Sequence, residues 1–163
     1  MSQSGSFGVN YKKAFATTEA ILPAKVGTVG STVEGDFVFV QADGAIDQYA
    51  FVKIEADGQA AMLHTTNAGS NALMVGVAQV AAADNEYLWV WIGGPMGGGV
   101  GKGIRGKVAA GFVAKANLNT TSSGTPGVAD DASTTLIKGG VGLASTTPAA
   151  AVELGSVDHL RVN

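Results

Sequence analysis

The stretch from Leu73 to Pro95, LMVGVAQVAAADNEYLWVWIGGP, constrains the fold most, because it reads as two strands joined by a polar turn. Side chains alternate along a strand with a period of two, so Tyr87, Trp89 and Trp91 fall on one face and Leu88, Val90 and Ile92 on the other. Both faces are apolar and need cover, either inside a barrel or sandwich or against another subunit. On the first strand Leu73, Val75 and Val77 share a face, while Gly76 and Ala78 leave room on the other for a large neighbour, with a tryptophan as the candidate. Asp84, Asn85 and Glu86 form the turn, since Asp and Asn bond locally to backbone and tolerate unusual dihedrals.

The same logic extends upstream. Phe37 and Phe39 share one face of DFVFVQA, with Val38 and Val40 on the other, and Asp43-Gly44 and Asp57-Gly58 mark the following turns. Short, even spacing of turn signals without a sustained 3.6-residue period argues for an all-β fold, a compact barrel or sandwich spanning 26–163. Residues 1–25 read as an N-terminal arm, with one helical turn expected over Thr17–Leu22 before Pro23. A loose tail is the simple reading of this arm. Its spaced aromatics support another, in which Phe7, Tyr11, Lys12, Lys13 and Phe15 contact a partner surface or a neighbouring copy, because buried rings offset the entropy of ordering. Phe37, Phe39, Tyr87, Trp89 and Trp91 are the expected core or subunit interface, and strands apolar on both sides favour a homo-oligomer.

Composition narrows function. Only 14% of residues are charged and the net charge is -3, so no positive field would attract nucleic acid or an anionic membrane. The absence of cysteine excludes disulfides and thiolate metal sites, and no window approaches a membrane span. The two histidines, His64 and His159, lie far apart, and Glu34, Asp36, Asp43 and Asp47 lack the spacing of a calcium loop. No nucleophile elbow or histidine-glutamate metal motif occurs, so no enzyme, metal or cofactor is expected.

The glycine run GGPMGGGVGKGIRGKVAAG offers a competing chemistry. Gly101, Gly103 and Gly106 match GxGxxG, and Gly101–Lys107 resembles part of a phosphate loop, a remote route to a nucleotide-binding enzyme. Val108 stands where that loop needs a hydroxyl for magnesium, and KVAAGFVAKANLNTT reads as strand where a helix is required. The alternatives are a flexible loop or a close backbone contact that side chains would block. Asn119-Thr120-Thr121 forms a sequon without a secretory context.

There is an internal echo: Ala50-Phe51-Val52-Lys53 followed by Val75-Gly76-Val77-Ala78 is matched by Gly111-Phe112-Val113-Ala114-Lys115 followed by Val141-Gly142-Leu143-Ala144. Two related strand-loop-strand units would produce it, and so would chance among small residues.

The segments GTVGSTVEGDFVFVQADGAI, QYAFVKIEADGQA, TTNAGSNALMVGVAQVAAADNEYLWVWIGGP and NTTSSGTPGVADDASTTLIKGGVGLAS together resemble the head-decoration, or capsid cement, proteins of tailed bacteriophages. The resemblance is one of layout. It implies a small all-β virion protein, made in the host cytoplasm, that binds the major capsid protein lattice on the outer head surface and self-associates, with a trimer as the form the resemblance favours. A tail, fibre or collar component is the alternative. The aromatic arm and the run Gly97–Gly103 depart from the family layout.

Overall fold

In the computed structural model the described residues are 8–68, 74–122, 124–131 and 135–162. They form an all-β domain whose eleven strands belong to one mixed sheet. In chain order the strands are β1 (Val29–Thr32), β2 (Gly35–Ala42), β3 (Phe51–Ile54), β4 (Gln59–Met62), β5 (Val75–Ala78), β6 (Tyr87–Gly93), β7 (Arg105–Val108), β8 (Asn117–Thr120), β9 (Ala129–Asp130), β10 (Leu136–Gly142) and β11 (Ala150–Val162). Among the described residues helix is limited to α1, Thr65–Ala68. The helical turn expected over Thr17–Leu22 is absent; that segment makes turns, with Glu19 N–H bonded to Ala16 O.

The pairings close twice. β2, β4, β3, β5 and β6 form one circuit and β7, β9, β8, β10 and β11 a second, joined where His159 of β11 pairs with Gly93 of β6. Each circuit has the same connectivity: the first strand runs parallel to the third and antiparallel to the fifth, and the second is antiparallel to the third and fourth. The registers also agree. Ala42 opposite Ala60 corresponds to Val108 opposite Ala129, and Phe51 opposite Val77 to Asn117 opposite Val141. Tyr49 and Lys115, each at φ 65°, precede the second strands and donate to Ala78 O and Gly142 O. Two units of one topology therefore stand in tandem.

The echo in the sequence pointed to this duplication in the wrong register. Phe112 is the counterpart of Ile46, in the turn before the second strand, and Asn117 is the counterpart of Phe51. What repeats is the interior pattern. Val38, Ala42, Val52 and Val90 fill the first circuit, and Ile104, Val108, Leu118 and Leu154 sit at the matching positions of the second. Where the second unit gains volume with Phe112, it loses it at Gly142, opposite the Ile46 and Ala78 of the first, because a Cβ on Gly142 would lie 2.6 Å from the Phe112 ring.

The hairpin holds as β5 and β6, with Val77 opposite Trp91 and the turn residue Asn85 at φ 66°. Leu73 lies outside the described residues. The space beside Gly76 is filled by Val90 and Ile54 and not by a tryptophan, because Trp89 and Trp91 point to the opposite face.

Candidate functional site

The aromatic surface expected to need a partner is covered by the chain itself. Phe37, Phe39, Trp89 and Trp91 are buried and Tyr87 is half-buried. Phe15 exchanges both backbone hydrogen bonds with Tyr87, at 2.7 and 2.8 Å, and meets Phe39 edge-on with ring centroids 5.9 Å apart. Tyr11 stacks on Phe37 at 4.7 Å, and its hydroxyl pKa is raised by burial and by the charge of Glu34. Phe15 therefore belongs to the protein's own core, which corrects its reading as an outward anchor, whereas Tyr11 is half-buried against that core and keeps part of its surface exposed. A buried ring on the chain's own sheet is not available to another molecule. Lys12 and Lys13 remain exposed, each near an arm ring, and Lys13 also pairs with Glu19 at 2.9 Å. Phe7 lies outside the described residues. With the aromatic faces covered internally, they supply no argument for a trimer.

The glycine run is used as a weld. Trp91 donates its indole N–H to Glu34 O at 2.9 Å, and the run folds over that ring: a Cβ on Gly98 would meet Leu154 O, at φ +63° where only glycine sits easily. The amides that would cradle a phosphate are engaged. Within Gly101–Lys107, Gly101 donates to the Glu153 carboxylate at 3.0 Å, Lys102 to Gly99 O, Arg105 to the Gln79 side chain and Lys107 to Tyr49 O, and just before it Gly98 donates to Glu34 O and Gly99 to Leu154 O. An acidic side chain thus occupies the anion position, and the following segment forms β7, where Lys107 is paired with Asp47 at 2.8 Å. This geometry argues against the nucleotide reading on positive grounds.

The remaining titratable groups are dispersed. His159 contacts Asp36 at 2.8 Å where the circuits join, and this hydrogen bond, aided by one from Ser31, holds the Asp36 carboxyl below its ordinary range. Arg161 likewise lowers exposed Asp158. His64 precedes α1, with its N–H on the Asn67 side chain. Glu34 accepts from the Thr32 hydroxyl, and among the described residues no three acidic or histidine groups gather as a metal site. The sequence reading missed Gln79. Its buried amide accepts from Arg105 N–H at 3.0 Å and donates to Arg105 O at 2.9 Å, joining the two units. A polar residue beside the apolar Val75–Ala78 run was its only signal.

Scanned against protein-family models the chain matches none, and searches of the curated proteins and of the solved structures give no match.

Proposed function

We propose that this chain is a non-enzymatic structural protein of a tailed-phage virion that binds the outer surface of the capsid lattice and stabilises the head. The observation that carries the reading is how the distinctive sequence is spent: the glycine run and the aromatic strands β2 and β6 all serve to join and cover two small units. We read each closed circuit as a small five-stranded barrel. Most of the segments that resemble cement proteins build these two units, and ion pairs such as Lys13–Glu19, Lys107–Asp47 and Arg161–Asp158 stand apart from one another on their outside. Such a body suits recognition of a repetitive surface better than turnover of a substrate.

The mechanism is mass action. A protein that binds only the assembled lattice stabilises it by its binding free energy, repeated at each site over the shell. The exposed Lys12 and Lys13 of the arm are the proposed contacts to acidic groups on the capsid. Co-sedimentation with purified empty heads, followed by imaging of the decorated particles, tests this. Saturable density on the outer head surface is expected, weakened by Lys12→Glu. Binding to purified tails with none to heads would transfer the protein to the tail, and binding to neither would overturn the virion reading.

A further inference from the structure

The two units differ in what fills one outward face. In the first, Phe51, Val75, Val77 and Trp91 project out of their circuit yet are fully buried, clustered with Ile104, Val108 and Leu154 of the second. The matching positions of the second unit are Asn117, Leu136, Val141 and Gly155, by the shared registers, with a bulge in β10 between Ile137 and Val141. All four line an open groove of about 570 Å³ between the glycine run and strands β10 and β11. Where the first unit places phenylalanine and tryptophan, the second has asparagine and glycine. The result is a hole of side-chain dimensions with apolar walls.

Beside this hole stand its complements. Met96, 91% exposed, and Val157, 84% exposed, are on its rim. Exposed Val100 is carried by the same loop, and exposed Val33 adjoins Glu34, whose carbonyl accepts from Gly98 N–H. Of the seven large apolar side chains that are exposed among the described residues, two stand on the groove itself and two more, Val33 and Val100, are carried by segments next to it in the chain or hydrogen-bonded to its glycine run. Isolated exposed apolar residues are ordinary, whereas a cluster of them beside a concavity marks an interface.

We propose that this face is a two-fold interface between two copies of the chain, with Met96 and Val157 of each copy seated in the groove of the other. Knob and hole lie on the same surface, which is the condition for an isologous contact: a two-fold axis makes each insertion reciprocal. A different partner would have to bring its own knobs for the hole and its own holes for Met96 and Val157. A second copy supplies both with the same residues. The inference stands apart from the capsid reading, and it bases self-association on surfaces other than the covered tryptophans.

Sedimentation velocity of the full chain between about 1 and 300 µM tests it. A reversible monomer–dimer equilibrium is expected. Met96→Asp and Val157→Asp should each weaken the dimer at least about 100-fold, since each change occurs twice in a two-fold interface and sets a carboxylate in an apolar hole. Ile21→Asp and Val113→Asp, exposed positions on other elements, should leave the dimer constant within about threefold. Met96→Lys and Val157→Lys repeat the test with opposite charge, and circular dichroism checks that each variant is folded. The proposal is overturned by a monomer throughout the range, by dimers indifferent to both rim positions, by equal sensitivity at Ile21 and Val113, or by association continuing past two.

Discussion

Replacing Gln79 by leucine tests whether one buried amide holds the two units together. Gln79 is 5% exposed, and its side chain takes both hydrogen bonds of the Arg105 backbone. At the matching position of the first unit, Phe39 is served by ordinary backbone: it donates to Thr28 O at 2.9 Å and accepts from Gly27 N–H at 2.7 Å. The glutamine thus stands in for a missing strand. Leucine preserves its approximate volume and removes both bonds. Each bond contributes about 1 kcal/mol net, and a donor and an acceptor left without partners at a packed junction add to that, so a loss of about 2 to 4 kcal/mol is expected. For a chain of this length, this lowers the melting temperature by roughly 5 to 12 °C. Gln79→Glu keeps the acceptor but faces a carboxylate toward the Arg105 carbonyl, and should be at least as harmful. Urea denaturation followed by tryptophan fluorescence and by circular dichroism separates the units, because both tryptophans lie in the first. The two probes should coincide in the native sequence and part in Gln79→Leu. A loss below about 0.5 kcal/mol, within the range of an ordinary surface change, would refute the reasoning.

Three further outcomes are expected. Gly142→Ala should destabilise by about 1 to 3 kcal/mol through overpacking against Phe112, and Phe112→Ile in the same chain, restoring the Ile46 and Ala78 pairing of the first unit, should recover most of it in a double-mutant cycle. Phe15→Ala should cost about 3 kcal/mol in chemical denaturation, because the ring is buried core; a loose tail would leave the midpoint unchanged. The Asp36 carboxyl, held low by His159 and Ser31, stabilises the fold above its unfolded value and loses that contribution as pH falls through the folded one. The stability gap between native sequence and Asp36→Asn should therefore hold above about pH 5 and close below about pH 4, as read from urea midpoints.

Much of the first unit was legible. Runs such as FVFV and YLWVWI carry apolar residues on both faces, and a strand buried on both faces has no alternative placement in a chain of this size. Asp57-Gly58 and Asn85 likewise announce turns, because so few residues accept their dihedrals. The identity of the cover was not legible. Alternation says that the Trp89 and Trp91 face is buried, but not whether another subunit, the arm or a glycine loop buries it, since all three present the same demand to the strand. The Tyr11 and Phe37 stack joins residues whose pairing no local pattern encodes.

The second unit shows why a duplicated fold can hide in its own sequence. A packed interior constrains summed volume more tightly than it constrains any residue, so Ile46 with Ala78 and Phe112 with Gly142 are equivalent solutions that share no letter. Outward positions are free to diverge further. Phe51 and Trp91 could become Asn117 and Gly155 because those sites face away from their own circuit, and what they must fit is whatever lies across from them. In the first unit that neighbour is the second unit, fixed by the chain. In the second unit nothing within the described residues fills the groove, and the side chains best shaped to do so, Met96 and Val157, stand on its own rim. Interior positions diverge as well, Val40 to Gly106 and Ile46 to Phe112, but there a neighbouring side chain takes up the change. Among the described residues nothing takes up the volume lost from Phe51 and Trp91 to Asn117 and Gly155, and that is the opening the proposed second copy would fill.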